Sequence, residues 1–111
     1  MTSTRNRLLA QLPRGVQDRL AAHVRRVSLR VGELLFTART PARAAYFPES
    51  GLVSLVTTVG SGEAMDVGLI GRDGVAGAQI VADGIDEMPF DGVVRVQGEA
   101  TRVEMAPLRA H

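Results

Sequence analysis

The 111 residues contain no cysteine, no lysine and no tryptophan, and histidine occurs only as His23 and His111. Without thiols there is no disulfide staple, no thiolate nucleophile and no cysteine-ligated zinc or iron–sulfur centre. Two histidines are too few for the histidine-rich metal sites that small jelly rolls often hold. His111 is the last residue, and His23 is expected on the apolar side of a helix as a packed ring, not a ligand. No metal site is expected. Long apolar runs are also missing: nothing approaches the ~18 residues of a membrane span. The opening Met1-Thr2-Ser3-Thr4-Arg5-Asn6-Arg7 leads only into Leu8-Leu9-Ala10, which is no secretory leader. The expectation is a cytoplasmic protein without membrane contact. Catalytic parts are absent too. Ser28, Ser50, Ser54 and Ser61 have no partner base in a known motif. Asp83, Asp86, Glu87 and Asp91 crowd a polar loop where carboxylates serve solvation. Neither an enzyme nor a cofactor is expected.

What is present suits one soluble domain. The length is that of a single core, and 45% apolar with 23% charged residues lies far from the disordered signature. The formal net charge of +1 conceals a split. Residues 1–43 carry nine Arg against Asp18 and Glu33, for +7, whereas residues 44–111 carry four Arg against ten acids, for −6. The basic part is expected to be a solvated outer face, not a nucleic-acid or membrane surface.

The hydrophobic pattern changes period once. Ser3 or Thr4 is placed to cap a short helix through Leu12, which Pro13 and Gly15 interrupt. A second helix is expected from Arg14 to about Arg25, with Leu12, Val16, Leu20, His23 and Val24 on one side. From Val27 the period becomes two, with Val27, Leu29 and Val31 alternating against Ser28 and Arg30. Short strands then follow between turn signals: Leu34 to Thr37, Ala44 to Phe47, Leu52 to Val59, a return strand carrying Met65, Val67 and Leu69, Gly92 to Gln97, and Thr101 to Met105. Seven or eight such strands and one helical insertion predict a mainly β domain. The expected architecture is a β-roll or jelly roll from about residue 27 to 105, packed by two N-terminal helices.

The insertion is the informative segment. Gly71-Arg72-Asp73-Gly74-Val75-Ala76-Gly77 precedes a stretch able to form one or two helical turns. Backbone N–H groups of Gly74-Val75-Ala76-Gly77 converging there would bind an anion without a side-chain charge. Glycines at such a turn also serve left-handed backbone or tight packing.

Several segments in order resemble the N-terminal sensor domain of Crp/Fnr-type transcription regulators, a cyclic-nucleotide-binding β-roll. They are Asn6-Arg7-Leu8-Leu9-Ala10-Gln11-Leu12-Pro13, Val31-Gly32-Glu33-Leu34-Leu35-Phe36, Tyr46-Phe47-Pro48-Glu49-Ser50-Gly51-Leu52-Val53-Ser54-Leu55 and Val67-Gly68-Leu69-Ile70-Gly71-Arg72-Asp73-Gly74-Val75-Ala76-Gly77. The resemblance covers about residues 5 to 110. It implies an effector pocket at the phosphate-binding cassette, made of Gly71, Gly74, Val75, Ala76, Gly77 and Asp91. Members that bind cyclic AMP have an acid for the ribose just after the cassette's first glycine, and an Arg for the phosphate. Val75 is similar to the first position, and Asp91, or a neighbour in the 85–92 loop, to the second. Arg95 lies four residues beyond Asp91, about 13 Å along a strand.

Cyclic AMP is therefore not the expected ligand, and an unknown small-molecule effector, or none, takes its place. The resemblance also implies a dimerisation helix and a helix-turn-helix after the roll. Pro107 to His111 is at most the first turn of that helix. The expectation is a truncated or stand-alone sensor domain without direct DNA binding, a monomer or weak homodimer that pairs at most with a full-length regulator. The alternative is a ligand-free protein-interaction module on a β-roll scaffold.

Overall fold

The computed structural model describes residues 4–39, 44–77 and 89–104, which form two short helices, a 3-10 turn and seven strands. Helix α1 is Arg7–Ala10, capped by Asn6, whose side chain accepts a hydrogen bond from the Leu9 N–H. The cap is thus Asn6, not Ser3 or Thr4, and the helix stops before Leu12. Helix α2, Arg14–Leu20, follows Pro13, whose φ of −53° already suits the entry to a helix.

The second helix was expected to reach about Arg25, but a 3-10 turn, Ala21–His23, ends it and β1 spans Val24–Leu29. Tertiary pairing decides this boundary. Each residue from Val24 to Leu29 faces one of β7, from Val103 back to Gly98, and the branched Val24 and Val27 suit an extended backbone. His23 therefore ends a turn and is exposed, instead of packing on a helix face. Val31, expected on the inner side of a strand, lies in a turn and is 65% exposed.

The remaining strands are β2 (Leu34–Phe36), β3 (Ala44–Pro48), β4 (Leu52–Thr58), β5 (Ala64–Ile70), β6 (Asp91–Val96) and β7 (Gly98–Glu104). They form two antiparallel sheets, β1-β7-β3 and β2-β6-β4-β5. Gly98-Glu99-Ala100, which lies between the last two expected strands, belongs to β7. Burial of Ala44, Ala45, Phe47 and Pro48 without alternation shows that β3 is covered on both of its faces. One core joins Leu29, Phe47 and Val103 of that sheet to Phe36, Val53 and Val94 of the other, with Leu9 of α1 inside it and Leu12 and Val16 packed against it. Fully burying each such side chain contributes about 1.5–3 kcal/mol.

Two glycines are dictated by close approach. A Cβ on Gly92 would lie 2.5 Å from the Phe36 ring, so the glycine makes room for the largest side chain of that core face. Gly51 has φ +84°, and a Cβ there would lie 2.5 Å from the Val96 carbonyl oxygen. The turn leading into β4 accepts nothing larger.

Candidate functional site

Strand β5 ends at Ile70, and the chain turns at once through Gly71–Gly77. The Gly74 N–H donates to the Gly71 carbonyl at 3.1 Å, closing a turn around Arg72 and Asp73. Ala76, wholly buried, then pairs with Tyr46 of β3 in both directions, at 3.0 and 2.8 Å. Gly77 follows with φ +107°, a backbone that glycine alone adopts readily. Two of the N–H groups in this segment are thus used internally. Among the described residues, the N–H groups of Val75 and Gly77 make no internal hydrogen bond.

The segment hangs from the N-terminus by a dense set of bonds. Asn6, with no exposed surface, donates from its side chain to the carbonyls of both Pro48 and Gly74 at 2.8 Å while capping α1. The Arg7 N–H donates to the Arg72 carbonyl at 2.6 Å, and Arg7 pairs with Asp73 at 3.2 Å. Asn6 is in turn held by Glu49, the most buried acid among the described residues, at 3% exposure. The Glu49 carboxylate accepts from the hydroxyls of Thr4 (2.6 Å) and Thr101 (2.7 Å) and from the backbone N–H groups of Arg5 and Asn6. Burial pushes this carboxyl up, but the two hydroxyls, the Arg5 N–H and the charge of Arg26 outweigh it, and it titrates below its ordinary 4.5. Glu49 is therefore ionised at neutral pH, and it fixes the N-terminal segment to the β3–β4 turn and to β7.

Of the six residues expected at a ligand pocket, Gly71, Gly74, Val75, Ala76 and Gly77 form this one segment. Asp91 stands apart. It opens β6, faces Val56 of β4, and accepts from the Ala38 N–H at 2.7 Å beyond the end of β2. Ile70, just before Gly71, faces Val53, on the other side of β4. Three residues along and two strands across, Ile70 and Asp91 are about 14 Å apart. The helical turn expected after Gly77 and the acids Asp83, Asp86 and Glu87 lie outside the described residues, as do Pro107 to His111.

Sequence reasoning missed Asn6 and Glu49 as the pair supporting the segment. Asn6 carried the signal of an N-cap. Glu49 carried none, because its hydroxyl partners lie 45 and 52 residues away. Charge elsewhere is at the surface: Arg95 lies on the four-stranded sheet, 3.0 Å from Asp66. That guanidinium holds the Asp66 carboxyl below its usual range. Arg95 thus has its own carboxylate and is no part of the Gly-rich segment.

Two short helices, two antiparallel sheets and a Gly-rich insertion between β5 and β6 define the β-roll of cyclic-nucleotide-binding sensor domains, and this chain has that fold. No protein-family model matches the chain, and no curated protein matches it. Its likeness is to solved structures of Crp/Fnr-type regulators and cyclic-nucleotide-binding domains. One is a provisionally assigned cyclic nucleotide binding protein from Ruegeria pomeroyi, with TM-score 0.82 and 21% identity over 96% of this chain and 47% of that one. Another is the N-terminal domain of a transcriptional regulator from Streptomyces coelicolor, with TM-score 0.75 and 21% identity over 96% of this chain and 74% of that one. A third is the c-di-GMP responsive global regulator CLP of Xanthomonas campestris, with TM-score 0.72 and 21% identity over 88% of this chain and 47% of that one. The chain thus spans about half the length of two of these proteins.

Proposed function

We propose that this β-roll is the effector-sensing domain of a Crp/Fnr-type transcription regulator, and that its effector is not cyclic AMP. The observation that carries the sensing role is the fold itself, matched over 96% of the chain to a protein assigned to nucleotide binding. The Gly71–Gly77 segment, tied to α1 through Asn6 and to β3 through Ala76, is the candidate effector contact. Transcriptional regulation by a whole protein belongs to the proposal, since the chain spans about half of such regulators.

The doubt about cyclic AMP rests on charge. Val75 offers no carboxylate to a ribose, and Pro89, Phe90, Asp91 and Gly92, the described part of the 85–92 loop, offer no cation to a phosphate. A cyclic phosphate is best held by a guanidinium that pairs with it in bidentate fashion, and the described residues of that loop supply none. Thermal-shift screening tests the reading, because a ligand bound only by the folded state raises the melting temperature by mass action. The panel is cyclic AMP, cyclic GMP, cyclic di-GMP and a set of metabolites. A dose-dependent rise with a compound other than cyclic AMP, lost on Asn6→Ala, supports the proposal.

A second reading has its own observation. Leu34, Leu69 and Val96 of the four-stranded sheet are exposed, with Leu69 at 63%, and solvent-facing apolar strands suit a protein-interaction module that binds no effector. A screen without any thermal shift, together with a partner lost on Leu69→Arg, favours that reading.

A further inference from the structure

We propose that Arg25, Arg102 and Tyr46 form a binding site for a small oxyanion, phosphate or carboxylate, on the three-stranded sheet. In the register of that sheet, Arg102 of β7 faces Arg25 of β1 on one side and Tyr46 of β3 on the other. Directly opposed residues of antiparallel strands project to the same face, with Cβ atoms about 4.5–5.5 Å apart. The three side chains therefore form one row, Arg25, Arg102, Tyr46, across that face.

Arg102 is half-buried and aimed. Its Nε donates to the Tyr46 hydroxyl at 3.4 Å, and its guanidinium carbon stands 6.0 Å from the centre of the Tyr46 ring. That geometry is at the outer limit of a cation–π contact, and it restricts the rotamers of a flexible side chain. In this bond the Tyr46 oxygen accepts, so its own proton remains free to donate.

Among the described residues the two guanidiniums are opposed without a counter-ion. Like charges directly across a strand pair repel. The ion pairs of the described residues are Arg7 with Asp73, Arg26 with Glu99, and Arg95 with Asp66, and none includes Arg25 or Arg102. Arg26 and Glu99 alternate onto the opposite face of the sheet. The acid nearest along β7 on the same face is Glu104, two residues on and exposed, which makes no ion pair with either arginine. An oxyanion between the two guanidiniums turns repulsion into charge-assisted hydrogen bonds, and the planar guanidinium fork matches phosphate and carboxylate oxygens. The row continues to Ala76, which pairs with Tyr46, so the site adjoins the Gly-rich segment at Tyr46 while Arg102 stands two strand spacings, about 10 Å, from it. It stands whether or not that segment contacts an effector.

The test is an NMR titration of the full chain with inorganic phosphate and, in a separate arm, malonate, at ionic strength held constant with chloride. Saturable shifts at the Nε–Hε groups of Arg25 and Arg102 and at Tyr46 are expected. Saturation with phosphate alone identifies a tetrahedral anion, and saturation with both identifies any small oxyanion. Arg102→Ala should weaken binding about tenfold. Arg25→Gln, a change at an exposed position that leaves folding intact, should also weaken it, while Arg30→Ala should not. Shifts that rise without saturation across all arginines, or affinities unchanged in both Arg25→Gln and Arg102→Ala, overturn the proposal.

Discussion

Glu49→Gln is the substitution with the clearest expected cost. The carboxylate oxygens accept from the Thr4 and Thr101 hydroxyls and from the Arg5 and Asn6 N–H groups. An amide of the same shape replaces one of these oxygens with a donor, which then faces other donors. Hydrogen bonds to a charged group contribute about 1.5–3 kcal/mol each, and a buried donor left without an acceptor costs about 1–3 kcal/mol. Hydroxyls can rotate and re-pair, whereas the backbone N–H groups cannot. The expected loss is therefore about 2–4 kcal/mol at pH 7, a large share of a small domain's stability.

The pH dependence supplies a second reading of the same group. Folding lowers the Glu49 pKa, so its stabilisation is present in full above the unfolded value of about 4.5 and is lost as pH falls through the lower folded value. Urea denaturation of both proteins from pH 7 to pH 3 measures this. The wild-type midpoint should fall below pH 4.5 more steeply than that of Glu49→Gln, and the two curves should converge in acid. A Glu49→Gln protein within ~0.5 kcal/mol of wild type at pH 7, with a parallel pH profile, would refute the reasoning.

Other outcomes follow from close contacts and buried bonds. Gly51→Ala, which forces a Cβ against the Val96 carbonyl at a left-handed position, should cost more than ~2 kcal/mol or prevent folding, as circular dichroism at 25 °C will show. Gly92→Ala displaces the Phe36 ring, and its unfolding free energy in urea should drop by an amount typical of overpacking, about 1–3 kcal/mol. Asn6→Ala removes the α1 cap and the anchor of the Gly74 carbonyl together; hydrogen exchange of the Leu9 N–H and of Gly74 should both quicken, while the β1–β7 ladder keeps its protection.

Local chemistry explains which features the sequence made legible. The β4–β5 hairpin was readable because Gly60-Ser61-Gly62-Glu63 interrupts two alternating runs, and the loop closes through Val59 and Glu63 with Gly62 at φ +88°. The mainly β architecture and the Gly-rich interruption followed in the same way. Burial on β5 did not. Met65, Val67 and Leu69 alternate as a half-buried strand should, yet all three are exposed. Strand β5 is the edge of its sheet, and its register against β4 shifts between Leu55 and Val56, so alternation in the sequence no longer maps onto one face. The start of β1 was hidden because Val24 fits a helix stripe and a strand equally well, and only its partner Val103, far along the chain, decides. At the candidate site the five residues of the Gly-rich segment were readable as a local motif. The separate position of Asp91 depends on strand order, which no local pattern encodes.

The proposed sensing role on this β-roll excludes cyclic AMP as the effector. Isothermal titration calorimetry of the full chain with cyclic AMP tests it most directly. No saturable heat is expected at micromolar ligand. A one-to-one isotherm with a micromolar dissociation constant would contradict it.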